Sequence, residues 1–270
     1  MMKPVDSSAN PRFKALRRLT ESSRERKQAG RSVLDGVHLV AAYREHVGKP
    51  EILAVSRQGL NNPEIQGLLE KMRGVDTLVL GDALFKALSS VVTPTGILAV
   101  VETPRRQVVP GNMDACLMLE DLQDPGNLGS ILRTCAAAGI KHVLLSRGSV
   151  HAWSPRVLRA AMGAHFSLAI YEEIDLVSAA RAFSGTRVAA VLRAERTMFD
   201  TNLTGNLALL FGNEGAGLSP DLVAIADIAA SIPMRGKEES LNVAAAAAVC
   251  LFERVRQISA MRRHGHADSN

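Results

Sequence analysis

Short, almost wholly apolar runs recur along the second half of the chain, at Ala115–Leu119, His142–Leu145, Arg187–Val191, Leu207–Phe211 and Ala229–Ile232. Runs of about five residues have the length of a buried strand and are too short for a helix. Helical patterns lie between them. Leu128, Ile131, Leu132 and Cys135, for example, stand at i, i+3, i+4 and i+7, the spacing of a stripe that faces a core. Strands that alternate with helices predict an α/β fold, a mostly parallel sheet covered on both faces. In such sheets ligands bind beyond the carboxyl ends of the strands.

The first part of the chain reads as a smaller α/β module. Strands are expected at Ile52–Ser56, Thr77–Leu80 and Gly96–Val101, helices at Val33–Glu45 and Pro63–Met72, and a basic helix over 10–31. The stretch Thr103–Asn112 carries two prolines and a glycine, which marks a boundary. The expected division is a first domain over 1–104, a linker over 105–112, a second domain over 113–262 and a disordered tail over 263–270. No apolar run approaches the ~20 residues of a membrane helix; the richest, Leu241–Phe252, is mostly alanine. The opening residues, with Lys3 and Asp6, do not read as a secretion signal. Cys116, Cys135 and Cys250 are far apart and sit in apolar runs, so neither a disulfide nor a metal framework is expected. Cytoplasm is the expected compartment.

The net charge of +5 is unevenly placed. Arg12, Lys14, Arg17, Arg18, Arg24, Arg26, Lys27 and Arg31 face only Glu21 and Glu25, a local surplus of +6 that leaves the rest near neutral. A solvated helix face with local pairs such as Arg17–Glu21 is the ordinary explanation. A basic stripe on an otherwise balanced chain is also the footprint of a polyanion, and Arg12, Lys14, Arg17, Arg18, Arg24 and Lys27 are the candidate phosphate contacts.

Three loops at the carboxyl ends of expected strands carry unusual residues. After Leu119 the chain turns at Asp124-Pro125-Gly126, with Asn127 read as the cap of the next helix and Gly129 and Arg133 on one face. After Phe211 comes Gly-Asn-Glu-Gly-Ala-Gly-Leu, a glycine loop with Glu214 in its mouth. After the last strand, Ile232-Pro-Met leads through a charged loop to Ser240-Leu-Asn242, either of whose polar ends suits a helix cap. The spacing G-x-x-G-x-G differs from the G-x-G-x-x-G of dinucleotide folds, and no G-K-[ST] is present. A nicotinamide-dependent oxidoreductase is thereby disfavoured.

In this order, Asn-x-Gly-x-x-x-Arg, then Gly-Asn-Glu-Gly-x-Gly-Leu, then Ile-Pro-Met-x-Gly-x-x-x-Ser-Leu-Asn-Val resemble the three motifs of the SpoU (TrmH-type) RNA ribose methyltransferases of the SPOUT superfamily, over about Ala115 to Glu253. The Ser8–Lys14 stretch and the run through Val33 resemble the substrate-binding module of ribosomal-RNA members, including thiostrepton-resistance enzymes, with Asp35 where relatives carry glutamate. The resemblance implies a trefoil-knotted second domain, a symmetric homodimer, and S-adenosylmethionine held by Gly212, Gly217, Ile232, Met234 and Leu241. It implies no metal, and 2′-O-methylation of a ribose by a site built from Arg133, Asn127, Glu214, Ser240 and Asn242. Glu214 is expected to hold Arg133. Trp153–Arg159 is either a further RNA contact or a plain helix start at Pro155. The basic module favours 23S ribosomal RNA; transfer RNA, or a non-catalytic assembly factor on the same fold, are the alternatives.

Overall fold

The computed structural model describes residues 2–89, 91, 93–104 and 108–267. They form two compact units. One comprises residues 1–105 together with 153–166, and the other 106–152 with 167–270. Residues 105–107 of the expected linker and 268–270 of the expected tail lie outside the described residues.

The first unit opens with β1 (Met2–Val5), α1 (Pro11–Glu21) and α2 (Ser23–Ala29), followed by β2 (Arg31–Asp35) and α3 (Val37–His46). Next come β3 (Ile52–Ser56), α4 (Pro63–Lys71), β4 (Asp76–Leu80), α5 (Asp82–Leu88) and β5 (Ile97–Glu102). The sheet order is β1-β4-β3-β5-β2; β1, β4 and β3 run parallel, while β5 is antiparallel to β3 and β2. Phe13 and Leu16 of α1 and Phe85 and Leu88 of α5 bury against Val33, Ala54, Leu78 and Leu98 of the strands. The basic segment is two helices, because Ser22 ends the first in an extended conformation and caps the second by accepting from the Glu25 N–H. The helix expected at Val33–Glu45 is corrected. Val33–Asp35 is strand, and the helix begins only after Gly36, whose φ of +109° breaks the run.

Several basic side chains are committed inside this unit. The Arg12 guanidinium pairs with Asp76, and Arg17 with Glu21 at 2.7 Å. Arg26, only 5% exposed, donates to the carbonyls of Leu19 and Thr20 at the end of α1. Arg31 pairs with Glu51 at 2.6 Å. Lys14, Arg18 and Arg24 are exposed and have no hydrogen-bond or ion-pair partner among the described residues.

The second stretch of chain runs β6 (Ala115–Leu119), α6 (Pro125–Ala137), β7 (His142–Ser146), α7 (Pro155–Ala161), β8 (Ala169–Ile174) and α8 (Leu176–Ala182). It continues through β9 (Thr186–Ala190), β10 (Arg196–Thr197), β11 (Leu207–Phe211), α9 (Pro220–Ile225), β12 (Ile228–Ser231) and α10 (Val243–Ala267). The second unit's sheet has the order β10-β12-β9-β11-β6-β7-β8, and every pairing is parallel. Its first strand, β6, is therefore central, with β7 and β8 on one side and β11, β9 and β12 on the other. This reversal leaves a crevice at the strands' carboxyl ends. Helix α7 belongs to the first unit, where it packs on β2; nearby, Phe166 meets Tyr43 edge-to-face at 5.4 Å. Ser154 caps α7 and Pro155 takes its first turn. No described helix is long and apolar enough to cross a membrane, and no group of metal-ligating side chains is found among the described residues.

Candidate functional site

In the second unit, the loops that leave β6, β11 and β12 meet. Asn242 Nδ2 donates to Asn127 Oδ1 at 3.0 Å, and Asn127 Nδ2 donates to Glu214 Oε1 at 3.1 Å. One residue from each loop thus joins a single hydrogen-bonded chain, although Asn127 and Asn242 are 115 positions apart. Glu214 also accepts from the main-chain N–H groups of Asp124 at 3.2 Å and Gln123 at 3.4 Å. Its carboxylate is engaged by these three donors, and among the described residues no ion pair joins it to Arg133. The expectation that Glu214 holds Arg133 is corrected: the carboxylate ties two loops together.

Local capping differs from expectation at one point. Asp124, not Asn127, caps α6, with its Oδ1 accepting from the Asn127 N–H at 2.7 Å. Pro125 at the first helical position moves the start three residues earlier, and this frees the Asn127 side chain to face the other loops. Asn242 does cap α10, with Oδ1 accepting from the Ala244 N–H at 2.9 Å while its Nδ2 reaches Asn127.

The glycine loop is closed on itself. Asn213 and Gly217 exchange main-chain hydrogen bonds of 3.0 and 2.9 Å, and Gly217 has a φ of +72°. Three residues that sequence reasoning passed over hold it. Asn213 Oδ1 accepts from the Gly215 and Ala216 N–H groups, and its Nδ2 donates to the Asp121 carbonyl at 2.8 Å. Glu120 Oε2 accepts from the Ser219 N–H at 2.7 Å. Asp121 has a φ of +50°, an uncommon conformation for a residue with a side chain, and Ser146 Oγ bridges its N–H and its carboxylate. The first of these was legible in principle, since an asparagine between glycines can satisfy main-chain donors in a tight loop. The acids offered no pattern.

A cavity of about 450 Å³ opens beyond β9, β11 and β12. Gly212, Gly217, Ile232, Met234, Ser240 and Leu241 line it, as does Arg193 from the loop after β9, a residue outside all three motifs. Met234 and Leu241 are 36% and 39% exposed. Two large apolar side chains left open beside a main-chain-rich loop suit a flat heteroaromatic group of a ligand. Asn127 and Arg133 are outside the lining; Arg133 is exposed on α6.

Burial raises the Glu214 pKa, but hydrogen bonds from Asn127 and the main chain outweigh it and hold the carboxyl below its ordinary value. A depressed acid contributes its stabilisation above the ordinary value and loses it as pH falls through the depressed one. The loop tie is therefore expected to be pH-independent from neutrality down to the ordinary glutamate range, about 4.3, and to fail below it. Ligand affinity in the cavity, measured against pH, should show that acid limb. In Glu214→Gln the limb should vanish, and its persistence would assign it to another group.

The chain matches the SpoU rRNA Methylase family over residues 114–252 and the MRM3-like substrate binding domain over residues 10–99. It is 30% identical to a 23S rRNA guanosine 2′-O-methyltransferase of Bacillus subtilis over 93% of this chain and 98% of that one. It is 32% identical to a 23S rRNA uridine 2′-O-methyltransferase of Streptomyces viridochromogenes over 93% and 91%. The structure superposes on an AdoMet-bound rRNA methyltransferase from Sinorhizobium meliloti with a TM-score of 0.83 and 28% identity, covering 95% and 98% of the two chains. Motif order, near full-length similarity and a shared fold together make this chain a member of the SpoU rRNA methylase family.

Proposed function

We propose that the protein methylates a ribose 2′-hydroxyl of 23S ribosomal RNA, using S-adenosylmethionine. The observation that carries this reading is the Asn242–Asn127–Glu214 chain, which gathers three motif loops beside the apolar cavity. When bound, S-adenosylmethionine supplies an electrophilic methyl group for in-line attack by the hydroxyl. Gly212 and Gly217 present main chain to it, and Ile232, Met234 and Leu241 form the wall for its adenine. The two asparagines and Glu214 keep the loops in register, so that orientation is fixed before substrate arrives. Ser240 is exposed on the cavity wall, and in this reading it touches the ribose or the donor. A guanidinium stays protonated throughout the physiological range and cannot serve as a free base. Arg133 instead grips a backbone phosphate beside the target ribose, and that phosphate or its water takes the proton. Mapping ribose methylation in total RNA from cells lacking the protein should reveal one lost mark in 23S rRNA. An unchanged map would overturn the reading.

RNA capture rests on the first unit, and exposed Lys14, Arg18 and Arg24 are its best-placed contacts, with Lys27 beside them. Arg12 and Arg17 already have carboxylate partners. Deleting residues 1–31 would remove β1 and the core residues Phe13 and Leu16, so it tests folding rather than binding. Reversing Lys14, Arg18 and Arg24 to glutamate is the cleaner experiment. It should weaken RNA binding and lower the salt slope by about 0.7–0.9 for each lost phosphate contact. An unaltered slope would remove these residues from the interface.

The same reading includes the knotted threading of the second unit, supported by the family to which the chain belongs, and a cytoplasmic, symmetric homodimer. Supporting the dimer, α10 buries Ala247, Cys250 and Leu251 but leaves Phe252 and Met261 at 50% and 62% exposure.

A further inference from the structure

The order of the strands lays out the cavity. The apolar side chains Ile232, Met234 and Leu241 follow β12, and the glycine loop follows β11. The Asn127–Glu214–Asn242 chain joins the loops after β6, β11 and β12, and β9 sits between β12 and β11. The loop after β9 joins this lining and contributes Arg193. Arg193 is the single basic side chain among the described residues that line the cavity, is exposed, and has no hydrogen-bond or ion-pair partner among them. Two acids share the lining. Glu214 accepts from three N–H donors, whereas Glu239 has no such partner among the described residues.

Resting on the reading of this cavity as the methyl-donor site, we propose that Arg193 binds the α-carboxylate of S-adenosylmethionine and so selects donors that carry an intact amino-acid end. The chemistry follows from charge. The donor has one anionic group, its carboxylate, and a guanidinium meets a carboxylate through two parallel N–H···O bonds. With its adenine against the apolar wall and its methyl toward the polar chain, the donor would present its amino-acid end to the remaining polar lining, where Arg193 is the basic side chain. Glu239 has the sign required by the neighbouring ammonium. The other anion within reach is an RNA phosphate, and the experiment separates the two.

The test is a binding cycle on the intact protein without RNA. S-adenosylmethionine and its decarboxylated analogue are titrated by calorimetry into wild type, Arg193→Gln and Arg193→Lys. Wild type should prefer the carboxylated donor by about tenfold to a hundredfold, the range of a charge-assisted contact. Arg193→Gln should bind both ligands with the affinity that wild type shows for the analogue, and Arg193→Lys should restore part of the preference. An equal preference in wild type and Arg193→Gln overturns the assignment, as does, in a parallel filter-binding assay with RNA on the same three proteins, a loss confined to RNA binding, which would make Arg193 a phosphate contact. Wild type that binds neither ligand instead overturns the donor-site reading on which the assignment rests. Because each variant is its own reference for the two ligands, a general loss of affinity cancels.

Discussion

Gly212→Ala is expected to abolish S-adenosylmethionine binding, with no saturation at about a hundredfold the wild-type dissociation constant. A Cβ at Gly212 would lie 2.0 Å from the Gly217 carbonyl carbon, 2.1 Å from its oxygen and 2.2 Å from the Leu218 nitrogen. All three are main-chain atoms, so no side chain can rotate away. Relief requires the loop to open, which breaks the paired hydrogen bonds between Asn213 and Gly217 and moves the lip of the cavity. The clash is confined to one loop of the second unit, so RNA affinity, proposed above to rest on Lys14, Arg18 and Arg24, should stay within twofold or so of wild type. Calorimetry with the donor and a filter-binding assay with RNA separate these outcomes. Normal donor affinity in the alanine variant would show that the loop tolerates opening and that the cavity is not the donor site.

Arg133→Lys should lose on the order of a hundredfold in turnover while donor affinity is unchanged. The lysine keeps the positive charge but lacks the planar fork that fixes a phosphate in two bonds at once. Donor affinity should hold because Arg133 lies on the exposed face of α6, outside the cavity lining, and has no ion pair with Glu214. Single-turnover kinetics with saturating donor read the chemical step directly. A lysine variant with wild-type turnover would end the phosphate-grip account of this residue.

The parallel sheet was legible because its central strands are continuous apolar runs bounded by turns, as Leu207–Phe211 before Gly212 shows. Strands at the edges were not. β8 carries Glu172 and Glu173 within its length, which hides the buried Tyr171, and β10 is two residues long. Val33–Asp35 was misread because its apolar residues run on into those of α3, and only Gly36 separates strand from helix. The site was legible as three loops but not as a wiring diagram. Resemblance to the family's motifs identified Asn127, Glu214 and Asn242, yet which of them bond is decided by geometry across distant strands. Glu214 was paired with Arg133 on charge alone, whereas amide and main-chain donors occupy it. Composition likewise overstated the free basic charge, since a sequence does not show that Arg12 and Arg26 are consumed inside the fold.

The excursion of residues 153–166 into the first unit has a consequence for how such a protein can change over time. Neither unit is one uninterrupted stretch of polypeptide, so a gene fusion or truncation at the 105/106 boundary would strand α7 away from the strand it packs on. Recombination that replaces the first unit must therefore rewrite a short interior passage of the second, and the two are expected to be inherited together rather than shuffled as separate modules.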